Sequence, residues 1–187
     1  MRLFIAIDVP ENVKKELLNV LRTLEKIWRG VKWVRPEGIH LTLKFLGEVD
    51  ESKVESIASA LREVAARYQP FCINVSSLGR FPENGKPRVV WCGIREEKGT
   101  LVKLAKEIES RMELAGFERE DRDFKPHVTI GRVKVPGRDA EGLQFLGKQK
   151  EIHFGSFEAD RFHLIRSILL PDGARYEKIQ EFVLGER

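Results

Sequence analysis

Short apolar runs alternate along the chain with longer segments whose apolar residues recur at helical spacing. The short runs predict strands at residues 2–8, 39–46, 71–78 and 88–94. The longer segments predict helices at residues 10–28, after the capping residue Asp50, and at residues 99–115. Further along, residues 137–147 predict a loop with a single helical turn. Residues 150–185 predict strands interrupted by a turn at Pro171-Asp172-Gly173.

The order strand, helix, strand occurs twice in this pattern. The first set covers residues 3–46 and the second covers residues 89–130. The two sets share little residue identity, so an internal duplication is a hypothesis from pattern alone. Since no linker rich in Pro, Gly or Ser separates them, we expect residues 1–187 to form a single domain with two lobes.

The last strand of each set carries the same four-residue pattern. The first copy is His40-Leu41-Thr42-Leu43 and the second is His127-Val128-Thr129-Ile130. Side chains alternate between the two faces of a strand, so each tetrad presents a histidine and a threonine on one face and two aliphatic residues on the other. Because the whole tetrad is repeated, we expect both copies to contribute to one site.

Composition and charge restrict the function classes. Hydrophobic residues make up 42% of the chain, which is enough to bury a core, and the net charge of +4 permits a polyanionic ligand without identifying one. The two cysteines, Cys72 and Cys92, lie in predicted strands without metal-ligand spacing, so we expect no metal and no cofactor. The apolar run at the start of the sequence is too short for a secretory signal, and no apolar stretch is long enough to span a bilayer. We therefore expect a cytoplasmic protein without membrane association.

Two histidines can divide acid catalysis from base catalysis near neutral pH. One neutral ring removes a proton from a nucleophile while the other, protonated ring donates a proton to the leaving group. In-line displacement at phosphorus requires this arrangement, because the attacking and leaving oxygens lie on opposite sides of the phosphorus. Thr42 and Thr129 are suited to donate hydrogen bonds to the phosphate oxygens.

The residues around both tetrads resemble the two signatures of the two-histidine phosphoesterases. The similar segments are residues 35–49 (RPEGIHLTLKFLGEV) and residues 125–132 (KPHVTIGR). Residues 162–169 (FHLIRSIL), followed by Gly173 and Tyr176, also resemble one branch of that superfamily, the RNA 2',3'-cyclic phosphodiesterases, historically named 2'-5' RNA ligases. The resemblance therefore extends over nearly the whole chain.

The resemblance implies an α+β fold with two lobes related by a pseudo-twofold axis. Each lobe is expected to be a small antiparallel sheet with helices on its outer face, and the central cleft is expected to carry both tetrads. The implied reaction is hydrolysis of a terminal RNA 2',3'-cyclic phosphate to a 2'-phosphate. By the same resemblance His40 is the proton donor and His127 the proton acceptor. The resemblance also implies that Thr42, Thr129 and Arg132 contact the phosphate and that Phe45 stacks against the terminal base.

The positions of Phe45 and Arg132 conflict with a regular strand. Each lies five residues after its histidine, an odd offset that would point the side chain away from the site. Contact with a substrate therefore requires a β-bulge or the end of a strand between histidine and contact residue, and Gly131 makes this easier for Arg132.

Two other functions remain open from the sequence. One is a ligase that joins tRNA halves with 2',3'-cyclic phosphate and 5'-hydroxyl ends. The other is a non-catalytic module that binds RNA ends or nucleotides. His153 and His163 lack a following threonine, so we expect structural roles for them, and nothing in the sequence requires more than a monomer. Two interpretations are open for a set of basic residues, either a basic rim for RNA or only a solvated face: Lys32, Arg35, Lys44 and Lys125.

Overall fold

The computed structural model describes residues 1–135, 137, 139–171 and 173–186. Its strands are β1 (Arg2–Asp8), β2 (Val31–Trp33), β3 (His40–Glu48), β4 (Phe71–Phe81), β5 (Val89–Arg95), β6 (His127–Val133), β7 (His153–Ala159), β8 (Arg161–Leu170) and β9 (Gly173–Val183). Its α-helices are α1 (Glu11–Ile27), α2 (Val54–Ala65), α3 (Thr100–Leu114) and α4 (Ala140–Lys148). Short 3-10 helices cover Pro36–Gly38 and Glu51–Lys53.

The strands of the described residues form one continuous antiparallel sheet of nine strands, whose two halves are the sheets of the two lobes. The sheet of the first lobe has the order β9-β8-β1-β3, and that of the second lobe has the order β6-β5-β4-β7, with β2 paired to β6. The sheets are joined where β3 pairs with β6, through Leu41 and Val128. Read outward from this junction, each strand of one lobe has a counterpart in the other. The predicted α+β fold with two lobes and pseudo-twofold symmetry is therefore confirmed.

The helices cover one face of the two sheets. Helices α2 and α3 pack against the first lobe, on β9 and β3, and α1 and α4 pack against the second lobe, on β7 and β4. The aliphatic residues of both tetrads, Leu41, Leu43, Val128 and Ile130, are buried in the core beneath the helices. Their burial fixes which face of each sheet is packed, and it leaves the histidines and threonines on the opposite face.

The predicted strands at 2–8, 39–46, 71–78 and 88–94 are confirmed, as are the three predicted helices. The loop predicted over 137–147 is wrong in part, because α4 is a helix of nine residues. Gly142 weakens the helical pattern of the sequence, but its missing side chain lets the Trp28 ring pack against α4. The positions of Arg138 and Asp172, which belong to predicted loops, lie outside the described residues.

Strand β2 was not predicted from the sequence, and residues 150–185 form three strands. Strand β2 has only three residues, which pair with Val133, Arg132 and Gly131 of β6. It therefore depends on a partner strand that is distant along the chain. Among the described helices, none has the length and the apolar character needed to cross a membrane.

Both tetrad strands contain a β-bulge at the last residue of the tetrad. Along β1, Ile5 pairs with Lys44 and Ala6 pairs with Thr42, so Leu43 is an extra residue of β3. Along β5, Val90 pairs with Gly131 and Trp91 pairs with Thr129, so Ile130 is an extra residue of β6. An extra residue reverses the facing of the residues that follow it, as far as the next irregularity of the strand.

The bulge in β3 turns Lys44 into the protein interior. Its Nζ donates to Glu109 Oε1 of α3 at 2.5 Å and to the Glu118 carbonyl at 3.0 Å. The Lys44 side chain is 3% exposed and the Glu109 side chain is 20% exposed. Lys44 therefore contributes to the packing of α3 on β3 and belongs neither to a basic rim for RNA nor to a solvated face.

The buried ion pair predicts that replacing Glu109 and replacing Lys44 lower the stability of the fold by different amounts. Replacing Glu109 by Ala leaves the Lys44 ammonium buried without a counter-charge, which should lower the free energy of unfolding by about 3 kcal/mol or more. Lys44→Met should lower the free energy of unfolding by less, because methionine fills a similar volume and the remaining Glu109 carboxylate can reach water. Urea denaturation of both variants tests this difference. An equal or larger loss in Lys44→Met would contradict it.

Candidate active site

The histidines and threonines of both tetrads face the same open side of the junction between β3 and β6. All four are half-buried, while the aliphatic residues between them are buried. Because Leu41 pairs with Val128, the antiparallel register sets His40 opposite Thr129 and Thr42 opposite His127. The strand pairing therefore brings together the two histidine-threonine pairs that the sequence predicted to share a site.

The two bulges bring the remaining predicted residues to this side. Phe45 is 61% exposed, although its neighbours Lys44 and Leu46 are buried. Arg132 is exposed, although Ile130 and Gly131 before it are buried. Each residue follows the bulge of its own strand. It therefore lies on the same face as its histidine, although it is an odd number of residues away. The requirement for a bulge, stated from the sequence, is met in both strands.

The His40 ring is held by aromatic side chains. Its centroid lies 4.8 Å from that of Phe4 and 5.3 Å from that of Tyr176, which meets it edge-on. Phe4 also contacts the Phe45 ring, at 5.9 Å between centroids. Phe4 belongs to a small apolar cluster on the open side of the sheet, separate from the main core. These contacts restrict the orientation of His40 and connect it to the exposed Phe45.

Burial strongly affects the ionisation of His40. Removal of the ring from water lowers the pKa of His40 to about 4, with Asp8 opposing this effect and Lys14 reinforcing it. No hydrogen bond to the ring is formed by the described residues. His40 is therefore neutral in the free protein at neutral pH, and an anionic ligand in contact with the ring would raise its pKa.

The His127 ring has a different environment. Its Nδ1 lies 2.7 Å from the Lys125 carbonyl oxygen, and its ring meets that of Phe81 edge-on at 5.1 Å. A carbonyl oxygen only accepts hydrogen bonds, so the proton of the neutral ring is on Nδ1 and the lone pair is on Nε2. Burial lowers the pKa of His127; the Lys125 carbonyl opposes this shift and Arg132 reinforces it.

Arg132 lies close enough to both lobes to influence groups in each. It lowers the pKa of His127 in the second lobe. It also opposes the effect of burial, which raises the pKa of Tyr176 in the first lobe. The guanidinium group therefore acts by its charge on groups of both lobes, and it would attract an anion in contact with the two histidines.

Several residues of the site were not among the sequence-predicted ones. Tyr176 and Phe81 each contact one histidine, and Asp8 ends β1 beside His40. Tyr176 was part of the C-terminal resemblance, but its contact with His40 depends on β9 joining the first lobe. Phe81 lies between the predicted strands at 71–78 and 88–94, yet it is the last residue of β4. No local pattern in the sequence indicates these contacts.

Other candidates from the sequence have structural contacts. The buried His163 lies 3.2 Å from Glu181 through its Nε2, and His153 is exposed on β7. Lys125 forms an exposed ion pair with Glu83. Within the described part of the chain, no group of three or more His, Cys, Asp or Glu side chains is arranged to hold a metal ion.

Comparison with known proteins identifies the family. The family model of the LigT-like phosphoesterases matches residues 7–91 and 93–176, with one tetrad in each segment. The chain belongs to the LigT-like phosphoesterase family. A protein of Archaeoglobus fulgidus named RNA 2',3'-cyclic phosphodiesterase is 42% identical over 97% of this chain and 99% of its own length. One of Thermotoga maritima with the same name is 40% identical over 97% of this chain and 94% of its own length.

Solved structures have the same LigT-like fold. A crystal structure of a Thermus thermophilus protein covers 99% of this chain and 98% of its own, with a TM-score of 0.83 and 30% identity. The crystal structure of E. coli LigT complexed with 3'-AMP has the same coverage, a TM-score of 0.76 and 25% identity. The arrangement of two lobes around the tetrads is therefore the arrangement of this family.

The low pKa of His40 predicts a specific loss of stability in acid. The unfolded chain takes up the proton near pH 6.5 but the folded chain only near pH 4, so this contribution is complete above pH 6.5 and is lost as the pH falls to 4. The loss should approach about 3 kcal/mol. Urea denaturation at several pH values should show a smaller loss in His40→Gln than in the wild type. If the free energy of unfolding depended on pH equally in the two proteins, this would contradict a folded state in which the His40 ring is neutral.

Proposed function

We propose that this protein hydrolyses terminal RNA 2',3'-cyclic phosphates to 2'-phosphomonoesters by acid-base catalysis between two histidines. The observation that carries this proposal is the antiparallel pairing at the junction, with His40 opposite Thr129 and Thr42 opposite His127. Two rings on paired strands can serve the attacking oxygen and the leaving oxygen, which lie on opposite sides of one phosphorus atom. Full-length relatives named RNA 2',3'-cyclic phosphodiesterase support the same reaction and the same class of substrate, RNA.

In this mechanism His127 is the base and His40 is the acid. A water molecule attacks the phosphorus and gives its proton to His127 Nε2, while the bond from phosphorus to the 3'-oxygen breaks. His40 donates its proton to that departing oxygen. The hydrogen bond from His127 Nδ1 to the Lys125 carbonyl supports the assignment of the base, because it leaves the Nε2 lone pair available.

The phosphate contacts come from both lobes. The hydroxyls of Thr42 and Thr129 donate to non-bridging phosphate oxygens, and Arg132 compensates the negative charge. Since the phosphodiester is anionic, its arrival favours the protonated form of His40, which burial disfavours in the free protein. Substrate binding and formation of the acid are therefore coupled.

Phe45 is proposed to stack against the terminal base. It is an exposed aromatic side chain on the same side as His40, and the Phe4 ring packs against it. Base stacking on aromatic rings is tolerant of sequence and contributes about 1–3 kcal/mol per base. E. coli LigT has been crystallised with 3'-AMP, which supports a single nucleotide as the recognised unit.

The reaction predicts a defined product and independence from metals. A short RNA oligonucleotide with a 2',3'-cyclic end should gain the mass of one water, retain the phosphate on the 2'-oxygen, and react equally fast with EDTA. Mass spectrometry and digestion with a phosphatase specific for one position test all three results. Inhibition by EDTA that added metal reverses would contradict the metal-free mechanism. Joining of a 5'-hydroxyl RNA as the main product would indicate a ligase.

The two tetrad histidines should be equally necessary. Replacing His40 or His127 by Ala removes one proton transfer and should lower kcat by about 10²- to 10⁴-fold. His153→Ala, on an exposed histidine of β7, is the matched control and should retain full activity. Unchanged kcat in either tetrad variant would refute the assigned roles. Tight binding of RNA ends without turnover in the wild type would instead indicate a binding module.

A further inference from the structure

The pseudo-twofold symmetry of the site is broken at the two equivalent positions that pair with the histidines. In the first lobe Asp8 of β1 pairs with His40, and in the second lobe Gly93 of β5 pairs with His127. The neighbouring positions also correspond, since Ala6 pairs with Thr42 and Trp91 pairs with Thr129. One catalytic ring therefore has a carboxylate on the adjacent strand, and the other has no side chain there.

The Asp8 carboxylate is held in place from two sides. Its Oδ2 contacts Lys178 Nζ of β9, and it lies 3.8 Å from His163 Nδ1 of β8. His163 is 2% exposed, and its Nε2 in turn lies 3.2 Å from Glu181. The chain of polar contacts crosses β9, β8 and β1 and ends beside His40. The Asp8 side chain is itself 40% exposed, so its carboxylate acts on His40 from the edge of the open site.

Asp8 and His40 share a cavity of about 160 Å³ on the open side of the first lobe. The charged and titratable groups that face His40 there are Asp8 from β1, Lys14 from α1, Glu37 from the 3-10 helix, and Tyr176 and Lys178 from β9. Across the junction, Arg132 of β6 influences Tyr176. Burial has the largest effect and lowers the pKa of His40; the negative charge of Asp8 opposes this shift, and the positive charge of Lys14 adds to it.

We propose that Asp8 is a positioning residue that favours the protonated His40 ring and thereby makes His40, rather than His127, the proton donor. The proposal rests on the proposed function, in which the two rings have opposite protonation states. In the second lobe, Gly93 provides no carboxylate, and Arg132 favours the neutral ring of His127. The neighbouring charges thus favour the protonated ring in the first lobe and the neutral ring in the second, whereas burial favours the neutral ring in both.

The pH dependence of kcat/KM separates this role from a purely structural one. The active form carries a proton on His40 and none on His127. Above both pKa values, its fraction is proportional to the share of His40 that is protonated, so it depends on the acidity of His40. Below both pKa values, His40 is fully protonated, and the fraction depends only on His127.

Asp8→Asn should therefore lower kcat/KM by about tenfold at alkaline pH, which corresponds to one pKa unit of His40. Towards low pH its profile should converge with that of the wild type. Lys14→Met should shift the alkaline limb in the opposite direction, with a rise of about threefold from the lost positive charge. As the control, Glu158→Gln removes an exposed carboxylate from β7 of the other lobe, and it should leave the profile unmoved.

A loss of the same factor at every pH in Asp8→Asn would overturn the proposal, because it would indicate distortion of the site. If Asp8→Asn fails to fold, an unmoved alkaline limb in Lys14→Met would overturn it. NMR titration of the His40 Cε1 proton in the wild type and the variants measures the same effect without turnover. A wild type that leaves cyclic phosphates intact would refute the proposed function, whereas an unchanged titration of His40 in Asp8→Asn would refute the role of Asp8.

Discussion

The pairing of β3 with β6 is the constraint on which the site depends. Leu41 and Val128 form this junction between the two sheets, and both are completely buried in the common core. Since side chains alternate along a strand, burial of these two aliphatic residues commits the histidine and threonine on either side of each to the opposite face. A shift of the register by one residue would bury the polar residues of one tetrad and separate the two rings. The apolar core therefore determines the geometry of the polar site.

The bulges at Leu43 and Ile130 extend the site beyond the tetrads. A regular strand would place the residue five positions after each histidine in the core. The extra residue instead exposes Phe45 in one lobe and Arg132 in the other, at equivalent positions but with different chemistry. The same shift buries Lys44, whose charge is compensated by Glu109 of α3. A local irregularity in the backbone thus supplies an aromatic surface on one side and a cation on the other.

The parts of the site that depend on neighbouring residues in the chain could be predicted from the sequence. The alternation within each tetrad, the strand character of both segments and the repetition of the pattern are local properties. The bulges could be required but not located, because a bulge is defined by the partner strand. Tyr176 and Asp8 reach His40 only after β9 and β1 have joined the first lobe, so their contacts follow from tertiary structure. Helix α4 was missed for a similar reason, since packing of Trp28 against Gly142 compensates for a weak helical pattern.

The central claim is that one phosphate group is bound by both histidines together. It can be tested by NMR titration of the uniformly labelled protein with a nucleoside 2'-monophosphate, the proposed kind of product, with resonances assigned from His40→Gln and His127→Gln. The account predicts that the Cε1 protons of His40 and His127 shift with a single Kd at a stoichiometry of one, while that of His153, exposed on β7, remains unchanged. A response of only one tetrad histidine, or two different dissociation constants, would contradict a shared site.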